Sequence, residues 1–396
     1  MSLKRSVLDA DFSGKTVLVR VDFNVPIRDG VVSDDTRIRA ALPTIELLAG
    51  QGARVVLMSH LGRPSGTGFE PALSTLPAAR RLAQLTTHTV RHTRDVCGDE
   101  ARFAVETLAP GEVLLLENLR FDPREKAGDA GFASELASLA DAYVDDAFGV
   151  AHRAHASVVG VPRLLPAYAG LLLSGEVDTI CGMLRDAARP FVAVLGGSKV
   201  SDKIGVIDAL LGVCDAVLIG GGMCFTFMAA QGKGIGRSLL EKEWVDRARD
   251  MILKARDSGC ELMLPTDYVV ASAFENDAET RVVSSEDIPD TMMGLDIGPA
   301  TVAAYSRRIA GARTIFWNGP MGVFEMPSFA AGTRGVGEAI ADNASARSIV
   351  GGGDSAAAVK QFGLADRMTF ISTGGGASMK LVEGARLPGL EAIPDA

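Results

Sequence analysis

Short apolar runs and amphipathic stretches alternate along the whole chain. The runs are Thr16–Val21, Arg54–Met58, Val113–Leu116, Ala142–Val144, Phe191–Leu195, Ala216–Ile219, Glu261–Leu264, Thr314–Trp317, Ser348–Val350 and Thr369–Ile371. Each ends in a polar or glycine-rich cluster, and helical periodicity follows. In Thr36–Ala49, for example, Ile38, Ala41, Leu42, Ile45, Leu48 and Ala49 fall on one stripe. Ser201–Leu211, Glu241–Ser258, Pro299–Ala310, Phe329–Asn343 and Ser355–Phe362 read the same way. Strands alternating with helices predict parallel sheets covered on both faces.

Four runs precede residue 150 and six follow residue 190. Between them, Pro162, Pro166 and the stretch Leu171–Arg189 read as a boundary with a connecting helix. The expected fold class is therefore α/β, with two doubly wound, Rossmann-like parallel-sheet domains. These span 1–170 and 190–380, joined by a hinge helix at 171–189. No repeat of 20–50 residues and no low-complexity segment alters this division.

Composition narrows the setting. The chain has 396 residues, 47% of them hydrophobic and 22% charged, which suits a globular protein of two or three domains. A net charge of −9 argues against a nucleic-acid or anionic-membrane surface. Residues 1–170 carry 19 Lys and Arg against 21 Asp and Glu, whereas residues 171–396 carry 21 against 28. The first part is the less hostile to an anionic ligand. The longest apolar candidate, Ala216–Ala230, is short and glycine-interrupted, so no membrane span is expected. The opening residues lack the apolar core of a signal peptide. Five cysteines, an odd number with no CxxC, fit neither a disulfide framework nor a structural zinc site; a reducing cytoplasm is expected.

Open α/β sheets bind ligands beyond the carboxyl ends of their strands, so the residues after each run carry the functional information. In the first half they supply Asp22, Asn24, His60, Arg63, Arg120, His152, Arg153 and His155, with Arg20 inside the first strand and Arg37 opening the next helix. So many cations at one crest point to a polyanion. The second half instead offers GGSKVSDK, GGGM, NGPMGVFE, GGGDS and STGGGAS, whose glycines let phosphates approach backbone N–H groups at helix starts. The Walker loop, G-x-G-x-x-G after a first strand, the protein-kinase H-R-D loop, G-x-S-x-G and H-E-x-x-H are all absent from the sequence.

RVDFNVP, SHLGRP, ENLRF, FGVAHRAH, GGSKVSDKI, WNGPMGVFE, GGGDS and STGGGAS occur in that order over positions 20–378. Together they resemble phosphoglycerate kinase, essentially end to end. The resemblance implies reversible transfer of the acyl phosphate of 1,3-bisphosphoglycerate to Mg-ADP, giving 3-phosphoglycerate and Mg-ATP, with Mg2+ as the cofactor. The attacking oxygen is already anionic and the leaving group is a carboxylate, so no general base is needed. Positioning and charge neutralisation must do the catalysis.

By the same resemblance, residues 1–170 form a phosphoglycerate-binding domain and 190–380 a Mg-nucleotide-binding domain, with the tail 387–396 returning to the first. Asp22, Phe23 and Asn24 match the residues on the glycerate hydroxyl and carboxylate side. His60, Leu61, Gly62, Arg63, Arg120, His152 and Arg153 match the patch around the non-transferred phosphate; arginine's planar fork suits oxyanions. Arg37 matches the catalytic arginine. Lys199 and Lys203 match the lysines on the nucleotide phosphates and the moving group. Gly374 and Gly375 match the glycines meeting transition-state charge. Glu325 matches the ribose contact, Gly352, Gly353 and Ser355 the phosphate loop, and Asp354 the carboxylate on Mg2+. A monomer with hinge closure is also implied.

The chain departs from the family pattern at Val150 and Val158, where hydroxyl residues are usual, at Arg237 in place of Lys, and at Lys380 in place of Glu. None of these removes a proposed catalytic group. Plainer readings remain for other residues. His88 and His92 read as surface, His155 as a loop brace, GGGM as a turn, Asp145 and Asp146 as a strand-end pair bonded to local backbone, the cysteines as small buried hydrophobes, and Trp317 as either core or an adenine neighbour. A non-catalytic two-domain trap for a phosphorylated small molecule is the alternative of another class. Arg37, Lys199 and Lys203 weigh against it, because a trap needs no cations around a moving group. A nicotinamide dehydrogenase is weakened by the missing G-x-G-x-x-G.

Overall fold

The computed structural model describes residues 4–396. The described residues form two compact units, one of residues 4–179 with 386–396 and the other of residues 180–385. The division falls within the helix Leu171–Asp186.

The first unit is built on six parallel strands. In chain order, β1 is Thr16–Arg20, followed by a hairpin of β2 (Ile27–Arg28) and β3 (Val31–Val32). Then come β4 (Arg54–Met58), β5 (Val90–His92), β6 (Val113–Leu115), β7 (Ala142–Asp145) and β8 (Ala167–Ala169). The sheet order is β5-β6-β4-β1-β7-β8, with β2 and β3 outside it. Register is set at the centre, where Val17 lies opposite both Val55 and Ala142. Alternate residues of β1 feed opposite cores: Val17 and Val19 pack with Ile38, Ile45 and Val55, whereas Leu18 packs with Val56, Leu114 and Phe132. All five β1 residues are buried, and each fully buried Val or Leu contributes roughly 1.5–3 kcal/mol.

The second unit repeats the design with β9 (Phe191–Leu195), β10 (Ala216–Ile219), β11 (Glu261–Met263), β15 (Thr314–Asn318), β16 (Arg347–Gly351) and β17 (Phe370–Ile371), in the order β11-β10-β9-β15-β16-β17. A separate antiparallel sheet of β12 (Asp267–Ala271), β13 (Thr280–Ser284) and β14 (Met293–Ile297) is ordered β13-β12-β14. Trp317 is fully buried and its indole N–H donates to Gly319 O at 2.9 Å, so its place is the core.

Several expectations shift. The helix read from Ser201 begins at Ile204, because Ser201 is held in a preceding turn by Glu241. The one read from Glu241 begins as a 3-10 turn, Lys242–Trp244, and becomes α-helical at Val245. The connecting helix stops at Asp186 rather than Arg189. His92, read as surface, ends the edge strand β5 with its ring 3.0 Å from Thr75 Oγ1 and 3.9 Å from Glu117. Cys97, Cys214, Cys224 and Cys260 are buried, but Cys181 is only partly so. Val150 and Val158 pack on Ala147 in a small apolar cluster, which suits valine at both positions.

Candidate active site

In each unit the parallel strands end along one edge, so the segments that follow them share a crest. In the first unit this crest is cationic. Arg37, in the first turn of the helix Thr36–Gly50, pairs with Asp22 Oδ2 at 3.2 Å and donates to Asn24 O at 2.9 Å. Asn24 Oδ1 in turn accepts from Gly62 N at 2.8 Å, tying the tail of β1 to that of β4. Fully buried Asn118 accepts from Leu61 N and Arg120 N, both at 3.1 Å, and so adds the tail of β6. Phe23 and Leu61 turn their side chains into the interior and can offer a ligand only backbone.

Arg120 is buried, with Nη1 donating to Gly62 O at 2.7 Å, while its Nε is buried with no hydrogen-bond partner among the described residues. Burial, with Arg20 and Arg153 close by, pushes its pKa down to about 10. An orphaned donor in a cationic pocket is what an absent oxyanion would satisfy. His60 is almost fully buried; burial and the charges of Arg20, Arg120, Arg37 and His155 hold it well below the usual histidine range. His155 is likewise lowered, to about 4, by burial first and by Arg120, Arg20 and Arg153 after it. Arg63 and Arg153 are exposed, and His152 is partly so.

The second unit presents amides and a cavity. Gly352 is the N-cap of the helix Gly353–Gln361, at φ +94°, a conformation that favours glycine. Gly374 is the N-cap of the helix Gly375–Val382. A Cβ on Gly375 would stand 2.9 Å from Gly352 Cα and 3.0 Å from Gly353 N, so the two helix starts abut only because position 375 is glycine. Two N-terminal dipole ends side by side favour negative charge. Gly374 gives its own N–H to Ser372 Oγ at 3.2 Å. Ser355, fully buried, accepts from Gly319 N at 2.6 Å and fixes the NGPMG segment against the first turn.

Lys203 donates to Asn318 Oδ1 at the end of β15. Burial lowers its pKa to about 8, against the opposing pull of Asp354 and Asp202. Lys199 is exposed. Beside them lies a cavity of about 430 Å³, walled by Gly197, Gly221, Gly222 and Pro320, with Leu239, Leu295 and Val323 for apolar surface and Glu325 and Asp354 at its edge. Gly221, within the GGGM segment read as a turn, thus also forms a cavity wall. Arg237 reaches the same cavity and donates to Ser272 O at 3.1 Å.

Asn118, Asn318, Ser157 and Glu125 were not singled out from the sequence. The two asparagines stand inside quoted motifs, and their position directly after strands was the available signal. Glu125 had none. Among the described residues, no group of three His, Cys, Asp or Glu comes together to hold a metal by itself, and no helix is long and apolar enough to cross a membrane. Asp145 and Asp146 serve the backbone instead: Asp145 Oδ1 accepts from Ala147 N at 3.0 Å, and Asp146 Oδ1 from Leu172 N at 2.9 Å.

Known proteins resemble this chain along nearly its whole length. The family profile described as phosphoglycerate kinase matches residues 7–385. The phosphoglycerate kinase of Rubrobacter xylanophilus is 56% identical over 392 residues, covering 99% of this chain and 98% of that protein. That of Moorella thermoacetica is 54% identical over 392 residues, with 99% of each covered. Among solved structures, phosphoglycerate kinase from Coxiella burnetii superposes with a TM-score of 0.87 at 40% identity, and that from Pyrococcus horikoshii OT3 with 0.85 at 33%, each covering 98% of both chains.

Proposed function

The chain belongs to the phosphoglycerate kinase family, and from that membership we propose how its residues divide the transfer of an acyl phosphate between glycerate and nucleotide. The reaction is reversible transfer from 1,3-bisphosphoglycerate to ADP, giving 3-phosphoglycerate and ATP. One observation carries the division of labour. The first unit offers clustered cations with an orphaned buried donor, whereas the second offers helix-start amides with a carboxylate, Asp354, beside them.

In this reading Arg63, Arg120, Arg153, His60 and His152 hold the non-transferred phosphate and carboxylate of the glycerate. Asp22 and Asn24 orient its hydroxyl side, with Phe23, Leu61 and Gly62 contributing backbone. Arg37 faces the moving phosphoryl group from the first unit; Lys199, Lys203 and Gly375 meet it from the second, whereas Gly374, whose N–H is given to Ser372 Oγ, shapes the helix start. Fixed donors aimed at developing charge lower the barrier without moving a proton. Glu325 takes the ribose, and Gly352, Gly353 and Ser355 form the phosphate loop.

A lone carboxylate beside phosphate-binding amides suits Mg2+ that arrives on the nucleotide, since Mg2+ keeps most of its waters and uses one or two carboxylates plus substrate phosphates. Asp354 would hold it, and the ion would supply neutralisation of phosphate charge. Lys203, on the same cavity side, would balance the charge that remains. In-line transfer needs reacting atoms about 3–3.5 Å apart in a water-poor site. Transfer therefore requires the glycerate-holding residues and the nucleotide-holding residues to close over their ligands, with the helix Leu171–Asp186 and the tail 387–396 as the straps. All assigned groups come from one chain, so a monomer suffices; its five free thiols suit the reducing cytoplasm.

A coupled assay for ATP from 1,3-bisphosphoglycerate and ADP tests the reading. Turnover that requires both substrates is expected. A folded preparation that binds both and turns over neither would instead identify a trap for phosphorylated ligands.

A further inference from the structure

Arg20 is fully buried at the end of β1, yet it makes no ion pair among the described residues. Its Nε donates to Ser157 Oγ at 2.9 Å, one terminal nitrogen donates to Val21 O, and Nη2 faces His60 Nδ1 at 3.3 Å. Ser157, also fully buried, passes the contact on: its hydroxyl donates to Glu125 Oε1 at 2.6 Å and its N–H to Oε2 at 2.9 Å. Its carbonyl accepts from Tyr143 Oη at 3.0 Å, so the serine is held from every side. Glu125 is itself 0% exposed. A buried cation needs a counter-charge and filled hydrogen bonds; here Asp145, its register partner on β7, lies close by, and Glu125 acts through one hydroxyl.

The direction of this chain has a consequence for His60. Arginine only donates, and it stays protonated. The ring nitrogen facing Arg20 must therefore accept, which leaves the imidazole proton on the other nitrogen. An Nδ1–H would set two N–H groups against each other. The charged groups around the ring, Arg20, Arg37 and Arg120, oppose a second proton, and Asp22 Oδ1, 3.9 Å from Nδ1, is the carboxylate that faces it.

We propose that Glu125 and Ser157 are positioning residues which, through Arg20, fix His60 as the neutral Nε2–H tautomer and so present the glycerate anion with an oriented hydrogen-bond donor. This rests on the first unit being the glycerate site. A donor used alike in ground and transition states changes KM rather than kcat.

The full chain labelled with 15N in its histidine rings tests this by long-range proton–nitrogen spectra, with His60→Gln assigning the signal among the five histidines. In the unliganded protein, His60 should be the Nε2–H tautomer from about pH 6 to 8. Ser157→Ala and Glu125→Gln should each mix its tautomers and raise KM for 3-phosphoglycerate ~10-fold, with kcat changed less than ~3-fold; Ser157→Thr, which keeps the hydroxyl, should retain the tautomer. An Nδ1–H or cationic His60 in the unsubstituted protein overturns the proposal even where both variants fail to fold. Folded variants that leave the His60 spectrum unchanged overturn it too, whatever happens to KM. The tautomer is read without ligand, so failure of the glycerate reading would show separately, as a normal spectrum in a protein that does not bind 3-phosphoglycerate.

Discussion

Arg37 and Arg63 carry the same charge on one crest but are placed for different work. Arg37 is held by Asp22 and Asn24, whereas Arg63 is exposed. Arg37→Ala should therefore lower kcat by ~10²–10³-fold, the usual effect of removing a preorganised donor, while Arg63→Ala should mainly raise KM for 3-phosphoglycerate. Steady-state constants for both variants decide; a normal kcat in Arg37→Ala would remove it from the catalytic set. Lys203 makes a pH prediction. Burial brings it to about 8, so the free enzyme loses this cation as pH rises through that value. The kcat/KM for nucleotide should fall on the alkaline side of about 8, and Lys203→Arg, which cannot be deprotonated, should lose that limb of the profile. Lys203 and Asp354 were legible because each stands inside a motif after a strand, and Arg37 because it opens the helix that follows RVDFNVP. Glu125 was not: its partner Ser157 is 32 positions away, and a single sequence does not show which distant polar residues share a buried network.

At the scale of elements, Asp146 closes β7 and pins the start of the helix Leu171–Asp186 through Leu172 N and Leu173 N. Burial raises its carboxyl from 3.8 to about 7. Between those values the folded chain keeps a proton that the unfolded chain has released. The stability tied to this group is thus full at acid pH and lost as pH rises through about 7. Asp146→Asn should gain on the parent protein by up to ~4 kcal/mol between acid and mildly alkaline pH, read by urea unfolding at both; a pH-independent difference would contradict the assignment. The C-terminal turn offers a packing test. Gly389 N donates to Ala151 O at 2.8 Å, and a Cβ there would lie 2.7 Å from Val158 Cγ1 and 3.1 Å from Ala151 Cα. Gly389→Ala should cost ~1–3 kcal/mol by overpacking, seen as a lower urea midpoint. The long central strands and amphipathic helices were legible because their periodicity is strong. The three-residue edge strands β5 and β8 were not, being too short to alternate. The hairpin β2–β3 was overlooked although its turn carries Asp29 and Gly30, both at positive φ, a recognisable Asp-Gly signal.

For the whole molecule, the proposed transfer needs two chemically different units in one chain: cations for a phosphorylated glycerate, and amides with one carboxylate for a nucleotide. If transfer requires both ligand sets to be brought together, the radius of gyration in solution should fall most when both ligands are bound and less with either alone; identical scattering curves for free and doubly liganded protein would remove closure from the mechanism. The division itself is tested most directly by calorimetric titration of 3-phosphoglycerate and of Mg-ADP, separately, into Arg63→Ala and Asp354→Asn. Both residues are exposed, so neither substitution should disturb folding. The expected result is a crossed pattern: Arg63→Ala weakens 3-phosphoglycerate by ~10-fold or more and leaves Mg-ADP unchanged, while Asp354→Asn does the reverse. A variant that loses affinity equally for both ligands would contradict it.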